Sequence, residues 1–229
     1  PFPDGAALGV TDSLGRGVVT GITGSATSIN YYVIGTEVLR IIDVDTGDTA
    51  VGSAYGQGDS AGSFSSGSIG QSVFSIGNSY DFYGAVGEFT TTPDTGAQPK
   101  ANTPVRALAT TCTGTSTCLF TGVADLHDLG HGIQLAAQSI NGTYMIAANG
   151  YGNMDFGESF ETVTQLGVYA VDPTLNILDP NNTTDTVDAG GALIAEMDAN
   201  LVGIGSIVPQ TSVTAASFNG TYAFSAQGD

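Results

Sequence analysis

The segment 125–131 contains the residue types most able to do chemistry. It holds both histidines of the chain and two carboxylates: Asp125, His127, Asp128 and His131. On a helix, histidines four residues apart would lie on one face and could bind a metal ion. Glycines close by, and the similarity of this stretch to residues 12–18, which lack histidine, favour a turn between strands. We therefore predict a solvated hairpin, with a metal site as the alternative.

A second acidic run, at 43–48, could offer carboxylate oxygens to calcium. Its sequence is Asp-Val-Asp-Thr-Gly-Asp. An EF-hand loop has glycine at its sixth position, whereas this run has Gly47 fifth and Asp48 sixth, and it lacks the distant glutamate. We predict a hairpin turn in which Gly47 adopts a positive φ, with calcium binding as the alternative.

The short patterns of common catalytic sites are missing from the sequence. It has no Gly-x-Ser-x-Gly elbow, no Cys–His pairing signature and no phosphate-binding Gly-Lys-Ser/Thr loop. A glycosidase would need two carboxylates in a cleft lined with aromatic residues, and the chain has no tryptophan. We predict that the protein is not an enzyme and uses no cofactor.

The two cysteines and four sequons bear on the compartment of the protein. Cys112 and Cys118 are separated by five residues, which fits a small loop disulfide better than a metal site or a thioredoxin-type motif. A disulfide implies an oxidising compartment. Possible N-glycosylation sites are Asn141, Asn181, Asn182 and Asn219. Asn-Gly-Thr is also ordinary turn chemistry, so both interpretations of these asparagines stay open.

Composition describes an acidic, folded chain. The 229 residues include 4 Lys+Arg against 22 Asp+Glu, and the net charge of −18 argues against nucleic acid and anionic membranes as partners. Hydrophobic residues make up 41%, which is enough for a substantial core. No run reaches the roughly 18 apolar residues that span a bilayer, so we predict no membrane insertion. The chain begins without Met, which suggests a processed product or a region of a longer protein.

Strand patterns dominate the chain, and sustained 3.6-residue periodicity is nearly absent. Short apolar or alternating runs are separated by Gly, Asn, Asp and Pro, which is typical of an antiparallel β-sandwich or barrel. The predicted strands are 31–35, 38–44, 49–55, 72–76, 80–91, 105–110, 119–124, 133–138, 143–147, 160–164, 167–171, 193–198 and 201–208.

Three internal matches indicate imperfect repeats. Residues 139–144 resemble 217–222, and residues 9–18 resemble 122–133. Residues 41–45 match 194–198, with Gly-Ser and Gln following at the same spacing in both copies. This equal spacing predicts that Asp45 and Asp198 begin equivalent hairpin turns, and that Gly52 and Gly205 are equivalent on the return strands.

The matches divide the chain into four parts. A repeat cut off after its first strand cannot bury that strand's apolar face by itself. The predicted parts are a partial β unit at 1–58, a Gly/Ser-rich linker at 59–71, a full β unit at 72–212 and a terminal strand at 213–229. Alternatively, 1–58 and 213–229 together complete one domain within a single chain.

The order of the motifs resembles a known class of modules. Asn-Gly-Thr-Tyr with a short strand, the run Tyr-Gly-Ala-Val-Gly-Glu-Phe-Thr at 83–90, then Gly-Val-x-Asp and a closing Gly-Ser-x-x-x-Gln are similar to tandem β repeats of large secreted bacterial surface proteins. The similarity covers most of the chain. It implies an extracellular β module and brings no catalytic residues with it.

The terminal strand carries the functional prediction. Phe218, Tyr222 and Phe224 occupy even positions, so all three side chains project from one face of a strand. This is the form of a donor strand that completes a neighbour's sheet, although it could also close the chain's own domain. We predict a secreted structural subunit of an extracellular filament or surface layer that binds copies of itself. The alternative is a monomeric adhesion or binding module excised from a longer repeat protein.

Overall fold

The computed structural model describes residues 6–21, 28–45, 50–78, 82–93, 117–160, 163–175, 177, 190–198 and 202–210. These residues form thirteen β-strands and two single 3-10 turns, at Gly58–Ser60 and Ser66–Ser68. The prediction of an all-β protein is therefore confirmed. Within the described ranges, no helix has the length and apolarity needed to cross a membrane.

The first five strands form an open antiparallel sheet, which we call the open sheet. Each strand pairs with the next one in sequence, in the order β1-β2-β3-β4-β5. Their bounds are β1 Ala7–Leu8, β2 Arg16–Thr20, β3 Ile29–Gly35, β4 Val38–Asp43 and β5 Val51–Tyr55. Strands β1 and β5 have no further partner among the described strands, so both outer edges of the sheet are open.

The next eight strands form a closed antiparallel barrel. Each pairs with its neighbour in sequence, and β13 returns to pair with β6, from Ile204 opposite Gly77 to Pro209 opposite Ser72. Of the two predicted architectures, the barrel is the one found. The strands are β6 Ser72–Asn78, β7 Tyr83–Pro93, β8 Cys118–Asp128, β9 Ile133–Ile146, β10 Tyr151–Asp155, β11 Gln165–Ala170, β12 Ala192–Glu196 and β13 Ile204–Pro209.

Aromatic side chains fill the barrel. Alternate residues of each strand point inward, so a period of two in the sequence supplies one continuous core. Five phenylalanines contact one another there with ring centroids 5.0–6.3 Å apart, namely Phe74, Phe89, Phe120, Phe156 and Phe160. All five are at most 2% exposed. Tilted and edge-on pairs of this kind add to the stabilisation from burial.

The segment between the sheet and the barrel packs against the barrel. Phe64 and Ile69 are buried with the barrel core, and the Tyr144 hydroxyl donates a hydrogen bond to the Ile69 carbonyl at 3.2 Å. The Ser66 hydroxyl, also buried, accepts the Ile146 N–H at 3.1 Å. Residues 59–71 were predicted to be a linker. Much of this segment packs against the barrel.

Some predicted elements differ from the structure. Residues 133–138 and 143–147 belong to one long strand, β9, and residues 163–164, at the end of the predicted strand 160–164, lie outside any strand. Asn141-Gly142 suggested a turn, but a Cβ on Gly142 would lie 1.9 Å from the Asp155 carbonyl oxygen. Glycine is required there by the close approach of β10, not by a turn. The predicted strand 105–110 lies outside the described residues.

Candidate assembly surface

The outer edge of β5 is a place where a further strand could pair. Its backbone groups on that side have no partner among the described strands. The strand reads Val-Gly-Ser-Ala-Tyr, without a charge or a proline, and Val51 is 73% exposed. Proteins normally protect an exposed edge with charges, prolines or bulges. An edge without these devices is suited to pairing with another strand.

One face of the open sheet is apolar and only partly covered. Residues directly opposite each other in the ladder share a face, so the pairs of β3, β4 and β5 place on one face Ile29, Tyr31, Val33, Leu39, Ile41, Asp43, Gly52 and Ala54, of which only Asp43 is charged. We call this set the inner face. Tyr31 is 2% exposed and its hydroxyl donates to the Gly9 carbonyl, whereas Val33 is 45% exposed and Ile41 is half-buried.

The register of the open sheet is the same as that of strands β9–β13 in the barrel. Tyr31 lies opposite Ile41, and Ile41 opposite Gly52. In the barrel Val168 lies opposite Ile194, and Ile194 opposite Gly205. The agreement extends to the preceding strands. The pairing of Val19 with Ile29 corresponds to that of Met154 with Leu166. The pairing of Leu8 with Val19 corresponds to that of Tyr144 with Met154.

Hydrogen bonds in the turns agree as well. Gly15 donates to the Asp12 carbonyl and accepts the Val33 N–H at 3.0 Å. Gly150 donates to the Ala147 carbonyl and accepts the Ala170 N–H at 2.8 Å. Both glycines have φ of 81°, the left-handed region that favours glycine. The two turns are therefore built in the same way.

The ladders of the two hairpins agree with the predicted equivalence of their return strands, whereas the turns after Asp45 and Asp198 lie outside the described residues. Gly52 and Gly205 hold the same place in the ladder. Asp45 accepts the Ser28 N–H at 3.4 Å, and Asp198 accepts the Gln165 N–H at 3.2 Å, so each carboxylate ties its hairpin to the preceding strand. By contrast, the sequence match of 9–18 with 122–133 does not correspond to the backbone pattern, which aligns the β1–β2 turn with the β9–β10 turn.

The barrel hairpin differs in one respect, because it buries a pair of carboxyl groups. Burial, followed by the side-chain hydrogen bond with Asp198, raises the pKa of Glu196 to about 8. Burial also acts on Asp198, but hydrogen bonds from Glu196 and Thr164 outweigh it and lower the Asp198 pKa. Ionised, Glu196 would leave its Oε2 buried without a donor. Protonated, it can share its proton with Asp198.

This carboxyl pair predicts a pH dependence of stability. The folded chain keeps the Glu196 proton up to about pH 8, whereas the unfolded chain loses it near the ordinary value of 4.5. Unfolding between these values releases a proton, so the free energy of unfolding falls as pH rises. We expect Glu196→Gln to remove about 1–2 kcal/mol of this fall, a figure reduced for the partial exposure of the group.

Urea unfolding at pH 5 and at pH 8.5 measures the effect as a difference between wild type and variant. The exposed Glu158→Gln is the control and should follow the wild-type pH profile. Equal pH profiles for wild type and Glu196→Gln would contradict a protonated Glu196 in the folded chain.

A second carboxyl pair lies where the open sheet meets the barrel. Burial, followed by the negative charge of Asp172, raises the pKa of Glu37. Beside them the Asp172 N–H donates to the Gly56 carbonyl at 3.0 Å. The Gln57 side chain donates to the carbonyls of Asn149 and Ala170. These contacts hold the end of β5 against the β9–β10 and β11 ends of the barrel.

The histidine segment forms the turn between β8 and β9. Asp128 is fully buried and accepts both the backbone N–H and the Nδ1 of His131 at 2.9 Å. The contact between Asp128 and His131 thus lies within the turn between β8 and β9. In the described part of the chain, no three His, Cys, Asp or Glu side chains come together as a metal site would require. In the acidic run, Asp43 accepts the Asp45 N–H at 2.9 Å, and Gly47 and Asp48, on which the predicted turn depends, lie outside the described residues.

The remaining predicted residues are only partly placed. Cys118 is buried at the start of β8, and Asn141 is half-buried in β9, where its N–H donates to the Ser159 hydroxyl. The disulfide and the use of the sequons stay predictions. Outside the described residues lie the donor-strand aromatics, the second cysteine and three sequons: Phe218, Tyr222, Phe224, Cys112, Asn181, Asn182 and Asn219.

Comparison with known proteins adds no relative. Family models, curated proteins and solved structures gave no match to this chain.

Proposed function

We propose that the protein is a secreted structural subunit of an extracellular filament or surface layer, joined head to tail by β-strand addition. The observation that carries the proposal is the open sheet. It combines an uncharged edge strand, β5, with an apolar inner face that is only partly covered. Added strands gain ladder hydrogen bonds at such an edge and bury apolar side chains on such a face.

The segment 213–229 is the donor in this proposal. Its alternating Phe218, Tyr222 and Phe224 would lie on the apolar side of the added strand. Burying three large side chains contributes several kcal/mol, at about 1.5–3 kcal/mol each. Donor and acceptor are different surfaces of the molecule, so the contact is heterologous and propagates into a polymer. The imperfect repeats and the Cys112–Cys118 disulfide belong to the same extracellular proposal.

Removal of the donor tests the proposal. We expect the full chain to form polymers in size-exclusion chromatography with light scattering and in negative-stain microscopy. The chain without residues 213–229 should be a monomer with an unchanged melting temperature, because the lost contact lies between subunits.

Point variants distinguish an effect of the apolar face of the donor strand from an effect of chain length alone. Serine at the three aromatic positions 218, 222 and 224 should also give monomers. Serine at the intervening positions 219, 221 and 223, on the opposite face, should leave the polymers intact. A monomeric full chain, or a truncated chain that unfolds, would instead support the self-contained adhesion or binding module.

A further inference from the structure

The closed barrel shows what the open sheet lacks. Strands β9–β13 have the same register and turn contacts as β1–β5, and in the barrel they are closed by the three strands β6, β7 and β8. β13 pairs with β6 along one edge, and β9 pairs with β8 along the other. The same five-stranded arrangement therefore occurs twice in the chain, once with three closing strands and once without them among the described residues.

Burial differs between the two copies where the closing strands are missing. Ile194 is 2% exposed beneath β6–β8, whereas its counterpart Ile41 is half-buried. Tyr144 is 2% exposed, but Leu8, which holds the same ladder position in β1, is 47% exposed. These residues are apolar in both copies. The inner face thus has an apolar composition like that of the barrel interior, but several of its residues are more exposed than their counterparts there.

A glycine gives an independent indication. A Cβ on Gly205 would lie 1.8 Å from the Ser75 carbonyl oxygen and 2.8 Å from the Ile76 Cα, because the backbone of the neighbouring strand β6 lies very close at this position. Gly52 holds the same place in the open sheet, where a Cβ would meet only the Ile41 side chain, at 3.5 Å. Nothing among the described residues requires glycine at position 52. A strand in the place of β6 would.

We propose that the open sheet is five strands of a second eight-stranded barrel, and that its partner is a three-stranded antiparallel β-meander of the β6–β8 kind. This goes beyond the proposed function, because it gives the outer edge of β5 a different occupant from the strand 213–229. One donor strand along β5 would fill only the place of β6. The chain's own β6–β8 are already engaged with β9–β13, so the meander comes from an adjoining unit.

The chemistry of the partner follows from the strands that close the barrel. Its concave side carries large apolar side chains, as Phe74, Phe89 and Phe120 do in the barrel. Its first strand pairs with β5 so that Ser53 faces the residue equivalent to Ser75, because Ser206 faces Ser75 in the barrel. Its last strand pairs with β1.

A fusion that supplies the meander tests the proposal. A second copy of residues 63–142 is joined directly to Ala7 in the full chain, in place of residues 1–6. This junction keeps the register, because Ala7 pairs with Thr20 as Thr143 pairs with Asp155. We expect the outer-edge amides of β5 to exchange at least about 100-fold more slowly than in the parent chain. With Ser53→Cys in the open sheet and Ser75→Cys in the added copy, the two thiols should form a cross-link.

Two variants of the fusion serve as controls. Phe120→Asp in the added copy alone should abolish the protection, because it places a charge in the new core. Gly52→Val should abolish it as well, yet leave the urea unfolding midpoint of the parent chain unchanged. Unchanged β5 exchange and no cross-link in the fusion, whether or not the added copy folds, would overturn the proposal.

These outcomes are independent of polymer formation. If the parent chain is monomeric and the fusion is protected, the filament proposal fails and the second barrel stands. If the parent polymerises and the fusion is not protected, strand addition stands and the second barrel fails.

Discussion

Replacement of Gly205 by valine is expected to open the barrel between β13 and β6. The new Cβ would lie 1.8 Å from a backbone oxygen, so a strand must move rather than a side chain. Displacement of β13 removes ladder hydrogen bonds along the whole of Ile204–Pro209. We expect a loss of at least about 4 kcal/mol in the free energy of unfolding, or failure to fold.

The same substitution at Gly52 is the matched control. It stands at the equivalent ladder position, and its Cβ would meet a side chain at ordinary van der Waals distance. Urea unfolding of the two variants and the wild type measures the difference. Similar stabilities for Gly205→Val and Gly52→Val would contradict the close passage of β6 over β13.

The second large effect is expected at the centre of the aromatic core. Phe120 is fully buried, with the ring of Phe156 at 5.0 Å and that of Phe89 at 5.9 Å. Phe120→Ala would leave a cavity among side chains held by a closed sheet, which cannot collapse readily. We expect a loss of about 3–5 kcal/mol.

Val123→Ala on the outer face of the same strand is the control for Phe120→Ala. Val123 is 39% exposed, and we expect its loss to cost less than about 1 kcal/mol. Chemical denaturation with near-UV circular dichroism follows both variants. A Phe120→Ala variant as stable as the wild type would mean that the aromatic cluster does not form the core.

The fold class could be predicted from local patterns, but the closure of the barrel could not. Alternation and frequent glycine excluded helices, and most predicted strands lie on observed ones. The choice between sandwich and barrel depends on the pairing of β13 with β6, which lie at opposite ends of the unit. A single sequence contains no local signal for such a pairing.

Glycine explains the errors within the elements. Gly142 lies in mid-strand where Asn-Gly suggested a turn, and strands β2 and β10 contain Gly17 and Gly152, which interrupt their apolar pattern. In each case glycine serves the close approach of a neighbour: a Cβ on Gly152 would lie 2.0 Å from the Met145 carbonyl oxygen. Only the three-dimensional structure distinguishes a glycine with this role from a glycine in a turn.

The assembly surface was predictable in outline only. Equal spacing around Gly52 and Gly205 predicted the equivalence of two hairpins, because hairpin register depends on local spacing. That one copy lies in a closed barrel and the other in an open sheet depends on which strands are available to each. The partial unit predicted at 1–58 contains the five strands of the open sheet, but the sequence did not indicate the geometry of that sheet.

The order of strand pairing in the barrel also places the largest loss of chain entropy during folding at one pairing. Seven of its eight strand pairings join neighbours in sequence, and each needs only a connection between adjacent strands to close. The eighth, between β13 and β6, brings together the two ends of the unit, so its chain-closure entropy is the largest. The open sheet has neighbour pairings alone and meets no such barrier among its described strands. Formation of the β13–β6 pairing, in which Pro209 lies opposite Ser72, is therefore the folding step that joins residues far apart in the sequence.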